Sequence, residues 1–162
     1  MRRIHLTGMS GAGKSTALAE LARRGLAVVD ADGPEHAEWS AAAGGMVWRE
    51  AAIEALLAEQ RDVPLVVAGC VSNQGRFRAA FDAVVLLDAP AGVLLDRVEQ
   101  RTGNSFGKRA DERERIEQDI AHGVPLLRAS CTHAIDATLP PGEVADAIEA
   151  IARGSRLAPA QR

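Results

Sequence analysis

Eight residues near the start of the chain combine glycines, a lysine and a serine in a spacing that suits phosphate chemistry. Residues 8–15 read Gly-Met-Ser-Gly-Ala-Gly-Lys-Ser and fit the pattern G-x-x-x-x-G-K-[ST] at every fixed position. The glycines let the backbone curl around an anion, Lys14 can reach β- and γ-phosphates, and the Ser15 hydroxyl can ligate Mg²⁺. The predicted nucleotide-binding residues are Gly8, Met9, Ser10, Gly11, Ala12, Gly13, Lys14, Ser15 and Thr16.

Two carboxylates, Asp30 and Asp32, stand at the end of the second apolar run. Parallel strands deliver their carboxyl ends to the ligand crevice, on the same edge as a phosphate loop. One carboxylate there could hold a Mg²⁺ ligand and the other could accept a proton from an attacking hydroxyl; alternatively, both end a strand and cap the next helix. We predict Asp32 as the metal partner of Ser15, in preference to Asp88, because a later strand need not lie beside the loop.

Candidate acceptor-binding residues follow the second and third apolar runs. Arg49 could clamp an anionic group by bidentate hydrogen bonds, or pair with a nearby glutamate on the surface. Trp39 and Trp48 could wall an acceptor pocket or belong to the core. The turn after the third run offers amide groups that could orient a polar substrate, although a helix-capping role explains the same residues. The predicted substrate-binding residues are Asp30, Asp32, Arg49, Gly69, Asn73 and Gln74.

Arg97 and Arg101 lie one helical turn apart, immediately before the glycine-rich segment 102–110. Positive charge at this place could approach a triphosphate and stabilise charge in a phosphoryl group under transfer. Polar, glycine-rich loops inside compact domains are often lids. We therefore predict a lid over about residues 102–115, within which Lys108, Arg109 or Arg113 contacts phosphate.

Alternating apolar and helix-forming runs predict an α/β domain with a parallel sheet. Strands are predicted at residues 3–7, 26–30, 65–69, 83–88 and 133–136. Helices are predicted at 14–24, 46–60, 91–101, 111–122 and 142–153, with a short helix around 36–43. Residues 1–154 are expected to form one domain, followed by a C-terminal tail at 155–162.

Composition limits the classes of function. The 162 residues carry a formal net charge of −3 and a pI of about 5.8, so no basic field favours nucleic-acid binding. No apolar run approaches the roughly 20 residues of a membrane span. Cys70 and Cys131 are far apart in sequence and are typical of reduced thiols. We expect a cytoplasmic monomer or homodimer that acts on a small molecule, with no nucleic-acid or membrane partner.

The chain resembles the small P-loop kinases, the group of shikimate, gluconate, dephospho-coenzyme A and nucleoside monophosphate kinases. The likeness spans nearly the whole chain and rests on the order of its landmarks: the phosphate loop, Asp30-Ala31-Asp32, Arg49, the arginines before the lid, and Asp136-Ala137-Thr138. It implies a P-loop three-layer sandwich whose five-stranded sheet has the order 2-3-1-4-5, with ATP and Mg²⁺ as cofactors.

The resemblance also implies roles for single residues. Lys14, Asp32 and Arg101 would be catalytic, and either Asp30 or Asp32 would be the base. Asp30 and Arg49 would hold the acceptor, Arg97 and Arg101 would contact ATP, and Asp136 and Thr138 would lie beside the adenine.

Departures from the group leave the acceptor unnamed. Shikimate kinases carry three glycines where this chain has Ala68-Gly69-Cys70, and an Arg-x-x-Glu motif where Arg49 is followed by Glu50-Ala51-Ala52. The predicted function is transfer of the γ-phosphoryl group of ATP to a hydroxyl or phosphate of a small molecule. The alternatives are an ATPase or switch protein without an acceptor, and nucleic-acid end phosphorylation, against which the acidic balance argues.

Overall fold

The structure is a computed structural model that describes residues 1–102 and 109–154. The first half contains β1 (Arg3–Thr7), α1 (Lys14–Arg23), β2 (Ala27–Asp30), β3 (Ala37–Ser40), β4 (Gly45–Trp48), α2 (Glu50–Ala58) and β5 (Leu65–Ala68). The second half contains a 3₁₀ helix (Gln74–Ala80), β6 (Ala83–Asp88), α3 (Ala91–Gln100), α4 (Ala110–Ser130), β7 (His133–Asp136) and α5 (Pro141–Arg153).

Five of the strands form one parallel sheet in the order β2-β5-β1-β6-β7. Because β3 and β4 lie outside this sheet, its members are the five strands predicted from sequence, and their order is the predicted 2-3-1-4-5. The inner strands are buried nearly throughout, as parallel strands covered on both faces must be. This topology brings the carboxyl ends of β1, β2 and β5 to one edge of the sheet.

Residues 37–48 form an antiparallel hairpin, so the predicted helix at 36–43 is wrong, and the helix predicted from residue 46 begins instead at Glu50. Ala37 pairs with Trp48, and both side chains are buried. Gly44 has a φ of +63°, the left-handed conformation that a turn at this place requires. The helix propensity of the alanines at 41–43 amounts to only a few tenths of a kcal/mol per residue, which burial of Trp48 outweighs.

Helix α4 continues to Ser130, eight residues beyond its predicted end at residue 122. Gly123 and Pro125 are typical of a helix terminus, yet the apolar stripe runs past them through Val124 and Leu127, which are buried. Gly123 has a packing reason to lack a side chain, since an added Cβ would lie 3.3 Å from the Sδ atom of Met9 in the phosphate loop. Helix α4 therefore backs directly onto that loop.

Two predicted segments fall at the limits of the description. Part of the predicted lid at 102–115, including Lys108, lies outside the described residues, as does the whole predicted tail at 155–162. Within residues 1–102 and 109–154, no helix has the length and apolar character needed to cross a membrane.

Candidate active site

The phosphate loop connects β1 to α1 and is held in place by close packing. Gly11 and Gly13 have φ values of +83° and +92°, which side chains of L-residues rarely adopt. A Cβ on Gly8 would lie 2.8 Å from the Leu87 carbonyl oxygen, and a Cβ on Gly11 would collide with the Leu94 carbonyl oxygen. The loop is thus wedged between the end of β6 and the start of α3, and only glycine fits at both contacts.

A cavity of about 630 Å³ opens over this loop. It brings together loop residues, the first turn of α1, both predicted carboxylates and both predicted arginines. Its lining includes Met9, Ser10, Gly11, Ala12, Gly13, Lys14, Ser15, Thr16, Asp30, Asp32, Arg97 and Arg101. Gly13 stands at the N-cap of α1 and has no side chain to satisfy the first N–H groups of the helix, which therefore suit an anion.

Lys14 lies across the loop. Its Nζ donates a hydrogen bond of 2.7 Å to the Gly8 carbonyl oxygen and lies 3.7 Å from Oδ2 of Asp32. Lys14 and Asp32, which are both predicted catalytic residues, therefore lie side by side at one wall of the cavity.

Asp32 is oriented by its backbone surroundings. Its Oδ1 accepts a 2.9 Å hydrogen bond from the N–H of Cys70, and its own N–H donates to Oδ1 of Asp30 over 3.1 Å. Asp30 therefore fixes the turn that presents Asp32, whose side chain remains 38% exposed. Of the two carboxylates, Asp32 is the one that lies beside Lys14.

Gly69 allows Asp32 and Trp48 to approach each other. A Cβ at this position would lie 2.8 Å from Cζ2 and 3.0 Å from Nε1 of Trp48, and 3.1 Å from Oδ1 of Asp32. Trp48 is 1% exposed, so its ring cannot move aside. The glycine is required by space rather than by its backbone angles.

Asp88, the carboxylate not chosen from sequence, does lie on a strand beside the loop, because β6 pairs with β1. The reason given for setting it aside is therefore wrong. The structure supplies another reason: Oδ2 of Asp88 accepts a 2.7 Å hydrogen bond from Nε of Arg128 on α4. This ion pair occupies Asp88.

Asn73, predicted to bind substrate, forms hydrogen bonds to the hairpin. Its Oδ1 accepts from the Trp48 N–H over 2.7 Å, and its Nδ2 donates to the Trp48 carbonyl over 2.9 Å. The N–H of Ser72 donates to the Met46 carbonyl in the same way. The segment after β5 thus lines the free edge of β4 and fixes the hairpin over the carboxyl end of the sheet.

The other predicted acceptor residues are also engaged within the protein. Oε1 of Gln74 accepts from the Val71 N–H and, at 3.4 Å, from the Thr7 hydroxyl. Arg49 precedes α2, and its Nε lies 3.4 Å from Oε2 of Glu38. The surface ion pair considered from sequence is therefore present.

His5 on β1 was not singled out from sequence. It is 3% exposed, and its Nε2 donates to the Gly69 carbonyl oxygen at 3.1 Å, an assignment that follows because a carbonyl can only accept. Its ring centroid lies 5.0 Å from that of Trp48 and 5.3 Å from that of Phe81. Burial, reinforced by the charges of Lys14 and Arg78, lowers the pKa of His5 to about 4 despite this hydrogen bond. The sequence feature that could have indicated a buried His5 is its position inside the apolar run of β1.

The far end of the cavity is apolar and suits a nucleobase, with Ala137, Leu139, Pro141 and Val144 in its lining. The predicted contacts Asp136 and Thr138 flank Ala137 but bond to each other: Oδ1 of Asp136 accepts from both the hydroxyl and the N–H of Thr138. These bonds, with the charge of Arg97 as a smaller contribution, lower the pKa of Asp136. The hydrogen bonds between Asp136 and Thr138 thus stabilise the turn, and the neighbouring residues Ala137 and Leu139 line the cavity.

Near the lid, the described arginines have partners. Nε of Arg109 lies 3.1 Å from Asp111, and Nη1 of Arg113 lies 2.9 Å from Glu99 on α3. The guanidinium carbon of Arg115 lies 5.9 Å from the ring centroid of Trp39, which joins α4 to the hairpin. This last contact could not be predicted from the sequence, because it depends on the hairpin β3–β4, where the sequence predicted a helix.

Comparisons with solved structures return kinases with the same fold. A shikimate kinase from Acinetobacter baumannii in complex with shikimate superposes with a TM-score of 0.67, at 17% identity over 98% of this chain and 96% of that one. A gluconokinase from Sinorhizobium meliloti 1021 gives 0.56, at 17% identity over 94% of each chain. Deoxyadenosine kinase from M. mycoides with bound dATP gives 0.54, at 15% identity over 91% and 97%.

Sequence comparison defines the family but no individual counterpart. A search of curated proteins finds no match. A family model described as an AAA domain matches residues 4–118, a stretch that includes the phosphate loop, Asp32, the hairpin, Arg97 and Arg101. With its parallel sheet, its wedged phosphate loop and the fold it shares with small P-loop kinases, the chain belongs to the AAA domain family of P-loop proteins.

Proposed function

We propose that this protein is a small-molecule kinase that transfers the γ-phosphoryl group of ATP to an acceptor hydroxyl. The observation that carries the proposal is the placement of Asp32 beside Lys14 in one cavity, with Oδ2 and Nζ 3.7 Å apart. A carboxylate next to the lysine of a phosphate loop stands where an attacking hydroxyl would meet the phosphoryl group.

The nucleotide would lie along the cavity. The backbone of residues 8–15 and the uncapped first turn of α1 would surround the phosphates. Arg97 and Arg101 approach the same space from α3, and the apolar wall made by Ala137, Leu139 and Val144 would take the base. These features support binding of a whole nucleoside triphosphate rather than of an isolated phosphate.

Lys14 and Asp32 would divide the chemistry. Lys14 would leave the Gly8 carbonyl and neutralise charge on the β- and γ-phosphates. Asp32 would orient the acceptor hydroxyl and accept its proton as the new P–O bond forms, with ADP as the leaving group. The Cys70 N–H and the turn at Asp30 would hold the carboxylate in the required direction.

The residues present fit a magnesium ion, because the Ser15 hydroxyl and the Asp32 carboxylate border the same cavity and supply hard oxygen ligands. When bound at Ser15 and Asp32, Mg²⁺ would supply positive charge that stabilises the phosphoryl group under transfer.

Closure of residues 102–115 over the bound nucleotide is part of the proposal. Arg109 and Arg113 hold ion pairs with Asp111 and Glu99 on exposed surfaces. Exposed pairs contribute only about 0–1 kcal/mol, so their exchange for phosphate contacts costs little. Exclusion of water would then favour transfer to the acceptor over hydrolysis.

The test is Mg-ATP turnover, followed by coupled ADP release, across acceptors that include shikimate, gluconate, dephospho-coenzyme A, nucleosides, nucleoside monophosphates and amino alcohols. We expect stimulation by at least one acceptor, and a fall of roughly 100-fold or more in Asp32→Asn. The matched control is Asp62→Asn, which changes an exposed carboxylate before β5, at the opposite edge of the sheet.

Two results would contradict the proposal. If turnover is the same with and without every acceptor, the protein is an ATPase or a nucleotide-dependent switch. If Asp32→Asn is as active as Asp62→Asn, Asp32 has no role in the chemistry.

A further inference from the structure

The acceptor side of the cavity is acidic. We define this side as the cavity residues Asp30 and Asp32 together with the adjoining hairpin β3–β4 and residues 69–74, which meet Asp32 at Gly69 and Cys70. Residues 30–50 contain one arginine, one histidine, no lysine and five carboxylates, namely Asp30, Asp32, Glu35, Glu38 and Glu50. Only the arginine carries a full positive charge at pH 7. That basic residue, Arg49, is paired with Glu38, and the neighbouring Arg76 is bonded to Glu50. Lys14 lies 3.7 Å from Asp32, so Lys14, Arg49 and Arg76 offset three of the five carboxylates and leave a net charge of −2. This excess would repel an acceptor that bears a carboxylate or phosphate and would attract a cation.

The hairpin presents an aromatic face that already holds a cation. Trp39 and Met46 are paired, and they lie on the same face as the buried pair Ala37 and Trp48, one step further along the hairpin. Trp39 is 58% exposed and Met46 is 39% exposed, so this face extends beyond the core. The guanidinium of Arg115 lies 5.9 Å from the Trp39 ring centroid, within the range of a cation–π contact.

A buried donor without a partner marks the inner end of this side. Nε1 of Trp48 is fully buried and finds no hydrogen-bond partner within the described part of the chain. Burial of an unsatisfied N–H is unfavourable, so such a group calls for an explanation. It borders the space beside Gly69 that Asp32 borders from the other side. A hydroxyl oxygen bound to Asp32 would be the nearest acceptor for this indole N–H, and its entry requires the packing around Gly69 to open, since a Cβ there would already lie within 3.1 Å of both side chains.

We propose that the acceptor is an elongated hydroxylated amine, whose ammonium group binds on the Trp39 ring while its hydroxyl lies between Asp32 and Trp48. This inference rests on the proposed kinase function and names the substrate class of the same site. The pairs Trp39–Met46 and Ala37–Trp48 are two residues apart along the hairpin, a backbone step of about 7 Å, so the probes below have chains of comparable length.

The transfer is balanced without any further reactant. The hydroxyl oxygen forms the new bond to the γ-phosphorus, and the bond from that phosphorus to the β,γ-bridging oxygen breaks. ADP departs with those electrons, and the hydroxyl proton passes to Asp32. The products are ADP and the phosphate ester of the amino alcohol.

Three probes of equal length test the charge preference: 6-aminohexan-1-ol, hexane-1,6-diol and 6-hydroxyhexanoate. Their binding to the full chain is measured by calorimetry at low salt in the presence of Mg²⁺ and a non-hydrolysable ATP analogue. We expect the amine to bind at least about 10-fold more tightly than the carboxylate, with the diol between them, and the preference to shrink as salt is added.

Variants at exposed positions locate the cation. Trp39→Leu should weaken binding of the amine by about 2- to 5-fold and leave the diol unchanged, whereas Trp39→Phe should retain most of the amine affinity. Arg115→Gln should strengthen amine binding by a similar factor, because it removes the internal cation that competes for the Trp39 ring. If Arg115 instead binds an anionic acceptor, this variant weakens binding of the carboxylate.

The outcomes separate this inference from the proposed function. Equal binding of the three probes, stronger binding of the carboxylate, absence of binding by all three, or an amine affinity that Trp39→Leu leaves unchanged would each overturn the inference. Turnover of a carboxylate or phosphate acceptor would overturn it while the kinase function stands. Absence of acceptor-stimulated turnover would overturn the kinase function itself, and the calorimetry with the ATP analogue would still report which charge the site prefers.

Discussion

The two sides of the cavity are built in different ways. The nucleotide side depends on one continuous stretch, residues 8–15, whose conformation is set by its own glycines and by contacts with β6 and α3. The acceptor side is assembled from segments more than 20 residues apart in sequence: Trp48 is held by Asn73, and Asp32 is held by Cys70. A contiguous site can be recognised from sequence, whereas an assembled site depends on packing that sequence does not display.

The difference also separates direct from indirect roles. On the nucleotide side, the predicted residues of the phosphate loop from Met9 onward line the cavity themselves, and Asp136 and Thr138, which bond to each other, are the exception. On the acceptor side, several conspicuous polar residues support others, as Asn73 supports the hairpin and Asp30 supports Asp32. Substitutions on the two sides should therefore differ in what they change, and four predictions test this contrast, in order of decreasing expected effect.

The largest effect is expected from Lys14→Ala. The change removes the cation that neutralises phosphate charge, so we expect kcat to fall roughly 100- to 1000-fold with every acceptor, at nearly unchanged stability. Steady-state kinetics and thermal unfolding, measured together, check this. A loss of kcat with only some acceptors would show that Lys14 also acts on the acceptor side, and would contradict the division between the two sides.

His5, which lies on β1 and bonds to Gly69 on the acceptor side, should make stability depend on pH, because burial disfavours its charged form in the folded protein. Its pKa is about 4 in the folded protein and about 6.5 when unfolded, so between these values the unfolded chain binds more protons. The contribution of His5 to the free energy of unfolding is therefore fully present above pH 6.5, and about 3 kcal/mol of it is lost as the pH falls from 6.5 through 4. Urea unfolding between pH 4 and 7 measures this slope, which should be shallower in His5→Gln. Equal slopes would contradict the assignment.

Gly69→Ala should damage the acceptor side selectively. The new Cβ would press on the buried ring of Trp48 and on Asp32, and such overpacking costs about 1–3 kcal/mol. We also expect kcat to fall while nucleotide affinity is retained. Gly75→Ala is the matched control, since a Cβ there meets no described atom within 4 Å. Similar behaviour of the two variants would show that the site tolerates displacement.

Asn73→Ala is expected to have the smallest effect of the four, about 1–2 kcal/mol of stability from two lost hydrogen bonds to the backbone of Trp48. If Asn73 positions the hairpin, chemical denaturation should record this loss, and Asn73→Asp, which keeps the acceptor oxygen, should recover part of it. A raised acceptor KM at unchanged stability would instead return Asn73 to the substrate-binding role predicted from sequence.

Sequence reasoning succeeded where structure is local or periodic. It predicted all five strands of the sheet, because apolar runs and turn residues each carry their own signal, whereas the order of the strands came from the resemblance to small P-loop kinases. It failed at the hairpin, where alanines favoured a helix and the deciding interaction was burial of Trp48 against residues distant in the chain. It also ended α4 too early, because Gly123 and Pro125 are typical of termini, whereas the core-facing stripe through Val124 and Leu127 continued.

The two tryptophans have an optical consequence. The chain contains no tyrosine, so its near-ultraviolet emission comes almost wholly from Trp39 and Trp48. Both belong to the hairpin, but one is 58% exposed with a guanidinium over its ring, and the other is 1% exposed among His5, Phe77 and Phe81. Their emission should differ in colour and in accessibility to quenchers. The protein therefore carries its own fluorescent label on the acceptor side, and ligand arrival there can be followed in the unmodified chain.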